Sequence, residues 1–211
     1  KIIKEQNITI LVLTKFHKKF LIELGIENQR IKVLPNYISV PEKKGERIVE
    51  DFLVYAGRIS PEKGVEELIN AFNNIENNKS VLKIIGVGPS YEDFKKKYAS
   101  EKIIFLGQIP NLEVIDSISK SKGVVTATKL FEGQPTLLCE ASSLGITSVF
   151  PKTGGIAEFY PPNYSFSFEQ FNYDDLQKKL ELLLSGNQLK EQGISNKLYI
   201  SYSNSCISPH I

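Results

Sequence analysis

The chain has 211 residues, of which 41% are hydrophobic and 24% are charged, so it is long enough to bury a sizeable core. Its 26 basic and 24 acidic residues give a net charge of only +2, unlike the strongly basic surface of a nucleic-acid-binding protein. The longest apolar run, ITILVL, is far shorter than the roughly 18 residues that a membrane helix needs. We therefore expect a globular, cytoplasmic protein that does not bind nucleic acid.

Two short strands and one helix are predicted in the first part of the chain. The runs ITILVL at 8–13 and IKVLP at 31–35 are typical of strands, and we expect the first strand to be buried. Between them, TKFHKKFLIELG has apolar residues at helical spacing behind Thr14, a residue type that caps helices. Pro35 ends the second strand.

A possible domain boundary follows in the segment NYISVPEKKGERIVED, which is charged and contains proline and glycine, as linkers between compact units do. We therefore predict the end of an N-terminal domain and a linker over residues 1–45, a second domain over 46–200 and a terminal tail over 201–211. The chain begins with Lys1 and contains no methionine. We interpret it as an internal piece of a longer protein.

Strand-like and helical patterns alternate in the second domain, which is the signature of βαβ units on a parallel sheet. The predicted strands are FLVYAG, VLKIIG, KIIFLG, GVVTAT and TSVF, and the helices between them are PEKGVEELINAFNNI, SYEDFKKKYA, NLEVIDSIS and PTLLCEASSLG. An amphipathic helix in FNYDDLQKKLELLLSG then stops at Gly186, and a second helix follows. The fold class that we predict is α/β, with a doubly wound, Rossmann-like parallel sheet.

The first candidate site follows the strand FLVYAG. Ligands of open parallel sheets bind at the carboxyl ends of the strands, where loops lead into helix N-termini. Gly57 permits close approach of the backbone, and Arg58 and Lys63 bring two cations to this loop and the first helical turn. Such a pair suits a diphosphate. From this segment alone, a surface arginine and lysine would be an equally good interpretation.

The second candidate site is the stretch KLFEGQPTLLCEASSLG at 129–145. Pro135 suits a first helical turn, so Glu132 should precede the helix and Glu140 should lie roughly 8 Å along it. Carboxylates accept hydrogen bonds from vicinal sugar hydroxyls, and amides at the helix start can bind phosphate. The pattern fits a ligand with a sugar at each end of its phosphates, although Glu140 could also be an ordinary exposed helix position.

Together these segments resemble the nucleotide-sugar-binding half of the family 4 retaining glycosyltransferases, which have the GT-B fold of two facing Rossmann-like domains. The resemblance runs from FLVYAGRISPEKGVEELINAF to VVTATKLFEGQPTLLCEASSLGITSVFPKTGGIAEF and includes the upstream LPN at 34–36. Its specific features are Gly-Arg with Lys-Gly six residues on, and Glu-Gly-x-Pro with a second glutamate after seven intervening residues.

The resemblance implies roles for individual residues. Arg58 and Lys63 would bind the diphosphate of the donor and stabilise it as the leaving group. Glu140 would hold the ribose hydroxyls, and Glu132 would contact the transferred sugar as part of the catalytic set. The backbone from Gly133 to Leu137 would bind the sugar and distal phosphate; its residues are Gly133, Gln134, Pro135, Thr136 and Leu137.

Two further implications concern the base and the sugar. The loop Leu106 to Pro110 would meet the nucleobase through main-chain groups, mainly at Ile109. Tyr37 stands where the family commonly has glycine, and Gln134 stands in the predicted sugar pocket where the family often has phenylalanine. The resemblance therefore does not fix the donor.

The intact enzyme is expected to move a hexose from a nucleoside diphosphate sugar to an acceptor hydroxyl with retained configuration, in bacterial capsule, lipopolysaccharide or exopolysaccharide synthesis. The sequence has no Asp-x-Asp pair, so we expect neither a metal nor another cofactor. Further expected partners are the missing N-terminal acceptor domain and a lipid-linked acceptor at the inner face of the membrane. We expect this chain alone to be inactive.

Two alternatives remain open. One is another GT-B enzyme, such as a nucleotide-sugar epimerase or a phosphorylase. The other is a nucleotide-sugar-binding module without catalytic activity.

Overall fold

The computed structural model describes residues 8–40, 47–186 and 189–207, the last six of these without their side chains. Its strands are β1 Ile10–Val12, β2 Ile31–Val33, β3 Phe52–Ala56, β4 Val81–Ile85, β5 Ile103–Gly107, β6 Gly123–Val125, β7 Ser148–Lys152 and β8 Ser167–Glu169. Its α-helices are α1 Lys15–Glu23, α2 Val65–Asn73, α3 Tyr91–Tyr98, α4 Asn111–Lys120, α5 Thr136–Ser143, α6 Tyr173–Leu184 and α7 Leu189–Ile207. Three short 3₁₀ turns span Asn28–Arg30, Pro61–Lys63 and Ile156–Phe159.

The main sheet has six strands in the order β5-β4-β3-β6-β7-β8, and each neighbouring pair is parallel. From β3 the chain winds outward through β4 to β5, and then returns to β6 on the other side of β3. The carboxyl ends of β3 and β6 therefore form a topological switch point, where open α/β sheets bind ligands. This arrangement confirms the predicted doubly wound parallel sheet.

Both faces of the sheet are covered by helices, as the side chains of β3 illustrate. Phe52 and Val54 belong to an apolar cluster with α4, α5 and α7, whereas Leu53 and Tyr55 belong to a second cluster with α2 and α6. Successive side chains of a strand point to opposite faces, so a strand covered on both sides is apolar throughout. Burial of each large side chain contributes about 1.5–3 kcal/mol.

The N-terminal segment β1-α1-β2 packs beside the main sheet. The helix α1 begins where predicted, because the Thr14 hydroxyl accepts a hydrogen bond from the His17 amide at 3.1 Å. The Glu158 carboxylate accepts hydrogen bonds from the amides of Lys15 and Phe16, both at 2.8 Å, and ties α1 to the large domain. The expectation of a buried first strand is wrong, because β1 pairs with β2 in a separate two-stranded sheet and its Leu11 is 59% exposed.

Other differences from the predicted elements are local. The predicted helix beginning at Pro61 is divided, because Gly64 adopts a left-handed conformation with φ of 67° between a 3₁₀ turn and α2. Strand β8 was not predicted at all. The proposed boundary after residue 45 lies outside the described residues, and α7 crosses the one proposed after residue 200. In the described ranges, no helix combines the length and the apolar character needed to traverse a bilayer.

Candidate functional site

A cleft of about 360 Å³ opens between the loops that follow β3 and β6. The first loop approaches the second closely at Gly64, where a Cβ atom would overlap the carbonyl oxygen of Ala127. A side chain larger than hydrogen would therefore push the two loops apart. The cleft is lined by Tyr55, Ala56, Gly57, Arg58, Lys63, Thr126, Thr128, Glu132 and the residues from Gln134 to Leu138.

The charged groups of this cleft come from both loops. Lys63 Nζ lies 2.6 Å from Glu132 Oε1, and the Thr128 hydroxyl lies 3.1 Å from the same oxygen. The side chains of Lys63 and Glu132 are only 28% and 23% exposed, so they are partly screened from water. Arg58 is exposed and lies on the same cleft. The predicted convergence of these groups is thus present in the geometry.

Tyr55 holds the backbone that carries Arg58, a role that the sequence analysis did not include. Its hydroxyl donates to the Arg58 carbonyl oxygen at 2.8 Å. Burial raises the pKa of the Tyr55 phenol above its ordinary value, with the Glu132 charge as a smaller cause. The phenol therefore keeps its proton and remains a hydrogen-bond donor.

The start of α5 forms the floor between the two loops. Pro135 is its N-cap, and the amides of its first turn, from Thr136 to Leu138, have no carbonyl partner within the helix. These residues line the cleft. Unpaired amides and the positive end of the helix dipole make this position suitable for an anion.

A second hollow of about 210 Å³ continues from the first and shares Gly57, Thr136 and Leu137 with it. Glu140 and Ile109 line it, as predicted for the nucleoside end, together with apolar side chains and Asn111. Partial burial raises the pKa of the Glu140 carboxyl, and a hydrogen bond from Asn111 opposes this change. Glu140 is therefore a half-buried carboxylate and not an ordinary exposed helix position.

Gln134 has a different environment from the one expected. Its Oε1 accepts a hydrogen bond from the Asn36 amide at 2.6 Å, and its Nε2 donates to the Asn36 carbonyl oxygen at 2.9 Å. Its side chain lies beside the buried Cys139 thiol, whose pKa burial raises to about 12. Both polar atoms of the Gln134 amide are thus bonded to the LPN segment, although the residue also lines the cleft.

Gly133 lies beside the cleft and against α1. A Cβ atom at this position would come within 2.5 Å of the His17 imidazole. The same loop also contacts the turn that contains Gly155. The backbone N–H of Gly155 donates a hydrogen bond to the Glu132 carbonyl oxygen at 2.8 Å. The sugar-binding loop that we predicted is therefore packed against residues from two distant parts of the chain.

Ten of the eleven predicted residues line one or both hollows, whereas Gly133 lines neither. Those at the first are Arg58, Lys63, Glu132, Gln134 and Pro135, those at the second are Ile109 and Glu140, and Gly57, Thr136 and Leu137 lie on both. Their roles toward a ligand stay predictions. The sequence analysis assigned no role at the site to Tyr55, Thr128, Asn111, Asn36 or His17. Two of them had a usable signal, because Asn111 directly follows the predicted base-binding loop and Asn36 belongs to the LPN segment of the resemblance.

A model of the protein family described as "Glycosyl transferases group 1" matches residues 39–198, which is more than half of the chain. The chain belongs to this family. It is 27% identical over 180 residues to the lipopolysaccharide 1,2-N-acetylglucosaminetransferase of Salmonella typhimurium, covering 74% of this chain and 47% of that protein. It is 25% identical over 196 residues to the capsular polysaccharide biosynthesis glycosyltransferase CapM of Staphylococcus aureus, covering 89% and 49%.

Solved structures of glycosyltransferases share the fold of this group 1 chain. A mutant of S. aureus TarM, in complex with UDP and other ligands, matches with a TM-score of 0.82 at 20% identity over 94% of this chain and 42% of its own. Anabaena HepE in complex with UDP matches with a TM-score of 0.76 at 17% identity over 94% and 62%. The chain spans about half the length of CapM and of the Salmonella enzyme. These findings confirm the coarser part of the prediction, a group 1 glycosyltransferase with the GT-B type of fold.

Proposed function

We propose that this chain is the donor-binding domain of a retaining glycosyltransferase that moves a hexose from a nucleoside diphosphate sugar to an acceptor hydroxyl. The observation that carries this proposal is the order of groups along one continuous groove. Glu132, Arg58 and Lys63 line the first hollow, Glu140 lines the second, and the N-terminus of α5 lies where the two hollows meet. A nucleoside diphosphate sugar has the complementary order of sugar, diphosphate and ribose.

The diphosphate would lie between Arg58, Lys63 and the start of α5. Charge-assisted hydrogen bonds of this kind contribute about 1.5–3 kcal/mol each. As the bond from the sugar to the diphosphate breaks, negative charge grows on the leaving phosphate, and the same cations stabilise it. The fixed positive groups do this without a metal ion, so we expect transfer by the full-length enzyme to continue in EDTA.

The two carboxylates would define the ends of the donor. Glu132 would accept hydrogen bonds from hydroxyls of the transferred sugar, and Glu140 would accept them from the ribose. The nucleobase would lie beside Ile109 in the smaller hollow. We take uridine as the first base to test, because HepE and the TarM mutant were solved with UDP.

The biological setting that we propose is the synthesis of a bacterial surface polysaccharide, such as capsule or lipopolysaccharide. The capsular and lipopolysaccharide enzymes among the relatives support it. The acceptor would bind to an N-terminal domain of the full-length protein, which would work in the cytoplasm beside a lipid-linked acceptor at the inner face of the membrane. The donor domain by itself would bind nucleotide without transferring sugar.

Calorimetric titration of the chain with UDP, GDP and ADP, free and sugar-linked, tests the proposal. We expect one preferred base and a measurable effect of the sugar on affinity. No binding to any of the six classes of ligand would contradict the donor-binding function. Binding of nucleotide by the full-length protein without any sugar transfer would instead favour a non-catalytic module.

A further inference from the structure

Gln134 joins two segments that are 98 residues apart in the sequence. Its side chain is only 8% exposed, and both ends of its amide are bonded to the backbone of Asn36. Two antiparallel hydrogen bonds from one planar amide fix its orientation as well as its position. Loss of either bond would leave a buried polar group without a partner, so this arrangement should be maintained strongly.

The loop that contains Gln134 carries Glu132, the carboxylate at the sugar end of the groove. At its other side the loop backbone is held by the hydrogen bond from Gly155 to the Glu132 carbonyl oxygen. Gly133 packs against His17, so the loop has little space to move in that direction. The Gln134 amide supplies the attachment between Gly133 and the start of α5.

Asn36, the partner of Gln134, lies outside the strands of the six-stranded sheet. Asn36 follows β2 and is the first residue of the segment predicted as the interdomain linker. Because Gln134 is bonded to Asn36, the position of the loop that carries Glu132 depends on the position of the segment that follows β2. Side chains that hold a reacting group within a fraction of an ångström have large effects on binding and catalysis, even without touching the ligand.

We propose that Gln134 is a positioning residue. Its side-chain amide forms hydrogen bonds with the Asn36 backbone and thereby sets the position of the Glu132 carboxylate relative to the donor sugar. This role replaces the direct sugar contact expected from the sequence. The proposal rests on the proposed function, because it assigns Gln134 to the sugar end of the donor site. It predicts that Gln134 affects recognition of the sugar far more than recognition of the nucleotide.

Binding of UDP, UDP-glucose and UDP-N-acetylglucosamine to the Gln134→Leu variant tests this selectivity. Leucine fills a similar volume but cannot form either hydrogen bond. We expect the affinity for the preferred UDP-sugar to fall about tenfold, as for the loss of one well-placed interaction, while that for UDP changes less than about twofold. Equal losses for UDP and UDP-sugar, or no loss for either, would overturn the positioning role.

A matched control is Gln177→Leu, the same substitution at a partly exposed position of α6 that lines neither hollow. Gln177 bonds to the Asn74 carbonyl oxygen and to Glu181, far from the loop. We expect this variant to bind UDP and UDP-sugar as the unmodified chain does.

The Gln134→Glu variant provides a rescue experiment. An ionised glutamate can accept from the Asn36 amide but repels the Asn36 carbonyl oxygen, whereas a protonated glutamic acid can donate to that oxygen as glutamine does. The ratio of UDP-sugar to UDP affinity, normalised to the unmodified chain at each pH, should therefore recover as the pH falls from about 8 to 5. A normalised ratio that does not change with pH would contradict the proposal.

Hydrogen exchange of the free chain separates this inference from the proposed function. If Gln134 positions the loop, Gln134→Leu should speed exchange of the Gly155 amide, which bonds to Glu132, by about tenfold, while Gln177→Leu should not. Failure of every nucleotide to bind would refute the proposed function but leave this readout intact. Unchanged exchange at Gly155 would refute the positioning of the loop, whatever the chain binds.

Discussion

The two ends of the groove hold their carboxylates in different ways. Glu132, at the sugar end, is paired with Lys63 at 2.6 Å and also bonded to Thr128. Glu140, at the nucleoside end, lies among apolar residues with the Asn111 amide as its polar neighbour, and burial raises its pKa. Glu132 is thus stabilised by a cation, whereas Glu140 has lost part of its hydration through burial.

This difference indicates different tasks in the free protein. In the free protein Lys63 and Glu132 form an ion pair, and under the proposed function a phosphate would share the lysine. Under the proposed function, Glu140 would instead gain hydrogen bonds from the ribose hydroxyls, and binding would relieve its poor solvation. Ligand affinity should therefore depend mainly on the charges of the side chains at the sugar end, and mainly on their hydrogen bonds at the nucleoside end.

Replacement of Lys63 should have the largest effect. In Lys63→Ala a cation is lost and Glu132 is left to repel the diphosphate, so we expect UDP affinity to fall about a hundredfold, the upper range for a charge-assisted hydrogen bond. Calorimetry with UDP measures it. A matched control is Lys152→Ala, because Lys152 pairs with Glu169 at 2.5 Å between β7 and β8 and does not line the groove. Equal affinities of Lys63→Ala and the unmodified chain would remove Lys63 from the phosphate site.

Replacement of Glu140 should act on ribose recognition. We expect Glu140→Gln to weaken UDP binding about tenfold, since hydrogen bonds from hydroxyls to a charged acceptor are replaced by weaker neutral ones. A comparison of UDP with 2′,3′-dideoxy-UDP isolates the ribose. The unmodified chain should strongly prefer UDP, and the variant should show little preference. A preference retained in full by Glu140→Gln would place the ribose elsewhere.

The raised pKa of Glu140 also predicts a dependence on pH. The ribose hydroxyls favour the ionised carboxylate, so the preference for UDP over its dideoxy analogue should fall as the pH falls through a value above the ordinary 4.5. Stability should change in the opposite direction. Between 4.5 and the raised pKa the Glu140 carboxyl is more protonated in the folded than in the unfolded chain, so its contribution to the free energy of unfolding falls as the pH rises. Glu140→Gln should lack this decrease in thermal or urea unfolding.

The sequence predicted the sheet well but not the contacts that complete the site. Apolar runs such as FLVYA signal buried strands by themselves, and the parallel order then brings Arg58 and Glu132 to one edge. Strand β8 was missed because its alternation, FSFE, is very short and follows a proline-rich loop. The Gln134–Asn36 and Glu158–Lys15 bonds span 98 and 143 residues, and no local pattern indicates that these residues pair with one another.

Replacement of Glu132 should produce an effect of opposite sign for UDP. In Glu132→Gln the Lys63 ammonium loses its anionic partner, so it becomes more available to phosphate. We expect UDP to bind up to about fivefold more tightly, because a partly exposed ion pair contributes about 1 kcal/mol or less. The sugar should add less to affinity than in the unmodified chain. Weaker binding of free UDP by this variant would show that Glu132 does not compete with the phosphates for Lys63.

The smallest expected effect comes from Tyr55. Tyr55→Phe removes the hydrogen bond to the Arg58 carbonyl oxygen but keeps the ring in the core. A net loss of about 1 kcal/mol in stability should follow, with a two- to threefold fall in UDP affinity through a less ordered Arg58 loop. The control is Tyr164→Phe, which removes bonds at 2.7 and 2.9 Å to the Ser148 backbone, away from the groove. If both variants lower UDP affinity equally, Tyr55 acts only through stability; an effect limited to Tyr55→Phe shows that the phenol holds Arg58 in place.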